Sequence, residues 1–168
     1  MKKMRKICTI LVLLCTAAVP LTAEELVSGG FGINYYGYEE LYLTTGLSYQ
    51  VPLEEAMDLA FGADFGVSTE QTGGEIRANF LIPLHLGLNF PFPGQTVSYS
   101  FGTGISPNIN YGDDISGVAL RMGPYVHGLL RFQVHPVMSI FLRFEQNLLF
   151  GPPRWIYTGS NLALGISF

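Results

Sequence analysis

Residues 120–134 read LRMGPYVHGLLRFQV, and the two sides of that stretch differ in kind. Leu120, Met122, Val126, Leu130, Phe132 and Val134 fall at alternate places on one side. Arg121, Gly123, Tyr125, His127, Arg131 and Gln133 fall on the other. Alternation with period two marks a β-strand that meets two different environments. What sets this strand apart is where its charge lies. Both arginines share a side with glycine and small or polar residues, and the apolar side carries no charge at all.

The same pattern repeats along the chain. Segment two sets Leu43, Thr45, Leu47, Tyr49 and Val51 against Thr44, Gly46, Ser48 and Gln50. Segment three sets Leu59, Phe61, Ala63, Phe65 and Val67 against a face with Asp58 and Asp64. Segment four sets Phe80, Ile82, Leu84, Leu86 and Leu88 against Glu75, Arg77, Asn79, His85 and Asn89. Segment five alternates Tyr99, Phe101, Thr103 and Ile105 with Ser100, Gly102, Gly104 and Ser106. Segment seven alternates Ile140, Leu142 and Phe144 with Ser139, Arg143, Glu145 and Asn147. Segment eight closes with Leu162, Leu164, Ile166 and Phe168 opposite Asn161, Ala163 and Gly165. A weaker first segment surrounds Phe31, Ile33 and Tyr35, which makes eight in all. Helical periodicity is absent after residue 23, apart from a short turn at Pro52–Met57.

Every charge inside these segments lies on the small-polar face: Asp58, Asp64, Glu75, Arg77, Arg121, Arg131, Arg143 and Glu145. A soluble sandwich would instead present an outer face dense in lysine and glutamate, with charged edges. Four acids matched to four arginines among Gly, Ser and Asn suit a narrow lumen where charges pair. The uncharged face suits lipid, where a mid-depth Arg or Lys costs roughly 2–4 kcal/mol. The sequence therefore describes an inside-out protein: an all-β, eight-stranded, antiparallel, up-and-down transmembrane barrel.

The segments are linked by turn-rich stretches, and their lengths exceed the roughly 9–11 residues that cross lipid at a tilt. An even strand number puts both chain ends on one side. Tyr35, Tyr36, Tyr38, Tyr111, Trp155 and Tyr157 gather at one expected end, and Phe90, Phe92, Phe132 and Phe168 at the other. Such bands read as interfacial girdles.

The first 23 of the 168 residues read as a cleavable export signal, leaving 24–168 as one barrel domain. Met1–Lys6 is basic, Ile7–Leu14 is apolar, and Leu21-Thr22-Ala23 is a cleavage site, with a second candidate after Ala18. The apolar run is too short for a membrane helix, which needs roughly 20 residues. Cys15 lacks the small residues that precede a lipoprotein cysteine, since Val12-Leu13-Leu14 stand there. Both cysteines, Cys8 and Cys15, leave with the signal, so no thiol or disulfide chemistry is expected of the rest. Lys2, Lys3, Lys6 and Arg5 leave too, so five of nine bases face 13 acids, a formal charge of −8. That balance excludes nucleic-acid binding. The composition, with 48% hydrophobic and 13% charged residues, also excludes disorder.

On these features the sequence resembles the small eight-stranded bacterial outer-membrane proteins, the class of the OmpA membrane domain, OmpX and OmpW. The resemblance covers 24–168, and its most specific element is the alternating last strand ending in Phe168. It implies a monomeric barrel in the outer membrane of a Gram-negative-type envelope, with periplasmic termini. It also implies periplasmic chaperones and the barrel-assembly machinery as partners, with Phe168 as the assembly signal. Members serve as anchors, adhesins, small-solute channels and lipid-modifying enzymes, so the class does not fix one activity.

Several candidate sites follow from the expected register. His127 should lie near Glu145, Asp64 beside Arg77, and Asn108 beside Arg121. With Asp58, Glu75, Arg131 and Arg143 these form a lumen polar network, read either as a polar pathway or as a plug that fills a narrow interior. Pro107 and Pro124 fall close together in facing strands, each without an N–H. They are the candidate lateral gate, a weakened seam through which a small apolar solute leaves sideways. His85, His127 and His135 are too dispersed for a metal site, and no catalytic residues or cofactor are expected. The first functional expectation is a narrow or laterally gated channel for small apolar solutes. The alternative is a structural or surface-interaction barrel without transport, with a lipid-modifying enzyme third. The acidic tips, with Glu39, Glu40, Glu70, Asp113 and Asp114 against Arg154, are short for an adhesin, which needs about 800 Å² per partner.

Overall fold

The computed structural model describes residues 26–37, 40–72, 75–94, 96–112, 117–152 and 155–168. The segment expected to be an export signal, with its two cysteines, and Tyr38, Glu39, Asp113, Asp114 and Arg154 lie outside that set. The eight strands are β1 (Leu26–Tyr36), β2 (Glu40–Glu54), β3 (Met57–Thr72) and β4 (Glu75–Phe92), then β5 (Val97–Gly112), β6 (Gly117–His135), β7 (Met138–Phe150) and β8 (Ile156–Ser167). All neighbours are antiparallel, and β8 returns to β1 to close the barrel. At the closure Val27 N–H donates to the Phe168 carbonyl at 3.1 Å, and Phe168 N–H to the Val27 carbonyl at 2.9 Å. Closure removes both sheet edges, which alone lets a sheet sit in hydrocarbon.

The start of β1, the end of β8 and the turns after β2, β4 and β6 lie at one end of the barrel, here the terminal end. The connections after β1, β3, β5 and β7 lie at the other, here the loop end. Strands run further than the turn residues alone suggest. Pro52 stays within β2, at a register shift between Pro52 and Glu54, and only Glu55 and Ala56 form the turn expected at Pro52–Met57.

Burial follows the alternation. Along β6, Leu120, Met122, Val126, Leu130 and Phe132 face outward, while Arg121, Tyr125, His127 and Leu129 are buried. Leu43 at 70% and Phe31 at 75% exposure belong to a continuous apolar exterior, the reverse of a soluble fold. Two girdle residues are corrected: Tyr36 and Tyr157 point into the barrel, because each shares parity with the lumen face of its strand.

Inward glycines explain how eight strands hold large polar side chains. Gly46 is the register partner of Asp64, and Gly102 of His127. A Cβ at Gly46 would collide with the Asp64 carboxylate, and one at Gly102 with the His127 imidazole. Each glycine is thus the socket for the side chain opposite, which accounts for the Gly-rich face.

Candidate functional site

The lumen is filled in three tiers. At the loop end, the Arg121 guanidinium lies 3.7 Å from the centre of the Tyr157 ring and 5.4 Å from that of Tyr36. Arg121 Nη1 donates to the Tyr36 hydroxyl at 2.6 Å, and Nε to the Pro152 carbonyl at 3.1 Å. Tyr36 stacks on Tyr157 at 5.8 Å and meets Tyr42 edge-on at 6.2 Å. The Tyr42 hydroxyl donates to Glu40. Tyr42, Leu81 and Leu149 have no exposure at all, so this tier is an apolar stopper pinned by a cation over aromatic faces.

The middle tier is an ionic knot. Asp64 Oδ2 accepts from Arg143 Nη2 at 2.8 Å and from Asn161 Nδ2 at 3.1 Å, with His85 Nε2 at 3.4 Å. The other His85 nitrogen lies 3.3 Å from Glu145 Oε1, which also accepts from Asn147 Nδ2 at 3.0 Å. His85 therefore bridges two carboxylates from opposite sides of the barrel. The third tier, toward the terminal end, joins Arg131 Nη2 to Gln50 Oε1 at 2.6 Å and Asn89 Nδ2 to Asp58 Oδ2 at 3.4 Å. Asn89 Oδ1 then accepts from His127 Nε2 at 3.3 Å, and the His127 ring stacks on Tyr125 at 5.7 Å. Among the described residues, a cavity of about 20 Å³ lies between the knot and the third tier and another of about 10 Å³ lies beside Asp64 and Arg143, each room for about one water.

The structure brings together Asp64, Arg143 and Glu145 from the expected network, with Arg121, His127, Arg131 and Asp58 in the tiers above and below. Asn108 and Arg121 are register partners, as are His127 and Glu145. Yet the imidazole held by Glu145 is that of His85, because Gly102 draws His127 toward Asn89. Asp64 does not meet Arg77. Arg77 pairs in register with Glu70 on the β3–β4 hairpin, where it is exposed rather than in the lumen. Glu75 sits at that hairpin's tip opposite Thr72, and its side chain lies outside the described set. His85, Asn147 and Asn161 complete the knot from positions whose only sequence signal was inward parity.

The proline seam is also corrected. Pairing of β5 with β6 is unbroken from Val97↔Phe132 to Gly112↔Gly117, and passes through Pro124 and Pro107. The interruptions lie on other flanks: between Ala63↔Leu84 and Gly66↔Leu81 beside Pro83, and between Pro83↔Asn108 and Leu86↔Ile105 beside Pro107. A third lies between Met122↔Phe150 and Tyr125↔Asn147 beside Pro124. A residue turns its N–H toward one neighbour only, so each proline breaks one ladder, and neither Pro107 nor Pro124 breaks the one they share.

A closed eight-stranded barrel with an apolar exterior and a polar, filled interior defines the class: the chain has the fold of the small eight-stranded outer-membrane barrels. Solved structures agree. Neisserial surface protein A superposes with a TM-score of 0.68 at 12% identity, over 85% of this chain and 94% of that one. Ail of Yersinia pestis, in complex with the heparin analogue sucrose octasulfate, gives 0.57 at 14% identity, over 86% and 97%. The outer membrane enzyme PagL gives 0.55 at 11% identity, over 84% and 97%. No family model and no curated protein matches the sequence. The neighbours include an enzyme, so the fold leaves the activity open.

Proposed function

We propose that the protein is a non-enzymatic outer-membrane barrel with a shut lumen, a structural or surface-presented element rather than a solute pore. The observation that carries this reading is the filled interior: an apolar stopper, an ionic knot and a polar tier stacked along one narrow bore. In this setting the termini are periplasmic and the four short loop-end connections face outward. Those connections span only the gaps from Tyr36 to Glu40, Thr72 to Glu75, Gly112 to Gly117 and Phe150 to Ile156, which favours a structural role over adhesion. The test is planar-bilayer conductance and liposome swelling on the refolded barrel. The expected result is no current steps and no swelling with sugars. Steps from a correctly folded barrel would sink the proposal.

One observation favours a second reading, lateral passage of small apolar solutes. Pairing of β4 is interrupted toward β3 at Ile82 and Pro83, and toward β5 at Leu84 and His85. This moves the candidate exit from the β5–β6 seam to β4. Uptake of a small apolar solute that falls on substituting Pro83→Val and Pro107→Val would support it. Unchanged uptake would leave the shut barrel standing alone.

A further inference from the structure

The outward face carries a few polar side chains among its apolar ones, and two outward hydroxyls close on the backbone. Thr45 Oγ1 donates to the Gly30 carbonyl at 3.2 Å, and Thr103 Oγ1 to the Tyr125 carbonyl at 3.0 Å. Gln146 of β7 is not closed off in this way. Its register partner on β8 is Ser160, whose Oγ donates to Gln146 Oε1 at 2.7 Å. The amide nitrogen reaches the Asn147 carbonyl at 3.5 Å, the outer limit of a hydrogen bond. Flipping the amide would set its oxygen against that carbonyl, so the orientation is fixed. The second N–H of Gln146 is left without an acceptor among the described residues.

The register gives the depth of that amide. Register partners followed around the barrel from Leu41 through Tyr35, Ser160, Gln146 and Val126 return to β2 at Val51, ten residues past Leu41. At about 3.3 Å per residue and a tilt of about 40°, each step to the next strand descends about 3 Å toward the terminal end. Gln146 then lies about 14 Å below Tyr111 and about 18 Å above Phe132, the two aromatic bands. That is near the middle of the apolar belt, where neither water nor headgroup oxygens are at hand. The missing acceptor has to come from protein.

We propose that the β6–β7–β8 face joins a second copy of this chain within the bilayer, about a two-fold axis running along β7. Each Gln146 amide then donates to the Gln146 or Ser160 oxygen of the other copy. The patch is self-complementary, as such an axis requires, because it holds a free N–H beside oxygens with lone pairs to spare. Its shape agrees. A two-fold along β7 sets the β8 side of one copy against the β6 side of the other. On the β6 side Gly128 is a hollow: a Cβ there meets nothing within 4 Å, and it stands in register between Phe101 and Phe144. On the β8 side Leu164 is a knob, 58% exposed. Leu162 shares a register row with Phe144 and Gly128, and Leu164, two residues below it, comes level with Gly128 to within about 2 Å. Apolar burial alone gives no advantage in lipid, so small residues that admit a neighbour and amides that cross the seam are what hold two chains together there. This pairing replaces the monomer implied by the resemblance, and it does not depend on whether the bore is shut.

The experiment is Förster transfer between refolded barrels in vesicles over a series of lipid dilutions. Cys8 and Cys15 are removed, and the dyes sit at Glu55→Cys on the β2–β3 turn, away from β7. The barrel is expected to show transfer above the random-collision level that falls on dilution as a two-body equilibrium. Gln146→Leu and Gly128→Leu should each weaken association about tenfold with the circular-dichroism spectrum unchanged. Thr45→Val, on the far side, should leave association as it was. Transfer at the random level before any substitution in the face would mean that lipid accommodates the amide, and would overturn the proposal. Association unchanged in Gln146→Leu would place the contact on another face and overturn it equally. Should both variants fail to fold, disulfide trapping decides: a cross-link between copies at Leu148→Cys on β7 supports the face, and its absence refutes it.

Discussion

Replacing Arg143 by Met removes the one guanidinium that faces two buried carboxylates. Arg143 Nη2 lies 2.8 Å from Asp64 Oδ2, with the two side chains 13% and 4% exposed, so solvent screening is slight. Breaking a buried pair from one side costs about 3–5 kcal/mol, because the surviving charge stays desolvated. His85 remains between Asp64 and Glu145 at 3.4 and 3.3 Å and still covers one of them. The expected loss therefore sits at the low end, about 3 kcal/mol. Adding Asp64→Asn leaves Glu145 facing His85 alone, a balanced pair, so the double variant should recover about 2 kcal/mol. Reversible urea unfolding in thin-lipid vesicles reads both values, with Trp155, the single tryptophan, as the reporter. A loss under about 0.5 kcal/mol for Arg143→Met, or singles that merely add, would refute the ionic knot as a unit.

Three further outcomes follow from the same geometry. Gly102→Ala drives a Cβ into the His127 ring and should cost about 1–3 kcal/mol, whereas Gly128→Ala, which meets nothing within 4 Å, should stay within about 0.5 kcal/mol of wild type in the same urea assay. Leu142→Arg, outward and midway along β7, should cost about 2–4 kcal/mol in lipid, and a negligible change would contradict a lipid-facing exterior. Phe168→Ser should lower the amount of assembled barrel in cells while refolding into vesicles proceeds as before. Equal assembly in cells would remove Phe168 as the assembly signal.

The strands and their two faces were legible because alternation is a local property, and one buried face fixes parity all along a strand. Register between sequential neighbours was legible in part: Asn108 with Arg121 and His127 with Glu145 were paired correctly, but Asp64 was set beside Arg77, which the long β3–β4 hairpin instead places opposite Glu70. Contacts across the bore were not. Arg143 of β7 reaches Asp64 of β3 only after closure, and the shear that sets which residues share a level is written in no single segment. Lumen-facing Tyr36, Tyr42, Leu81 and Leu149 were hidden for another reason. Large apolar residues look lipid-facing until parity is followed through each strand to its end. The prolines failed likewise, since proximity in register says nothing about which neighbour each missing N–H would have faced.

The inside-out, shut barrel is tested most directly by a spin-label scan along β6. Cys8 and Cys15 are the only cysteines, so their removal with or from the first 25 residues leaves a clean background. Labels at Val118, Leu120, Val126 and Leu130 should collide with lipid-dissolved oxygen. Labels at Ala119, Gly123, Tyr125 and Leu129 should be shielded from both oxygen and a water-soluble nickel complex. Strong nickel access at those four positions would show an open, wet bore and contradict the account, as would a loss of the alternation itself.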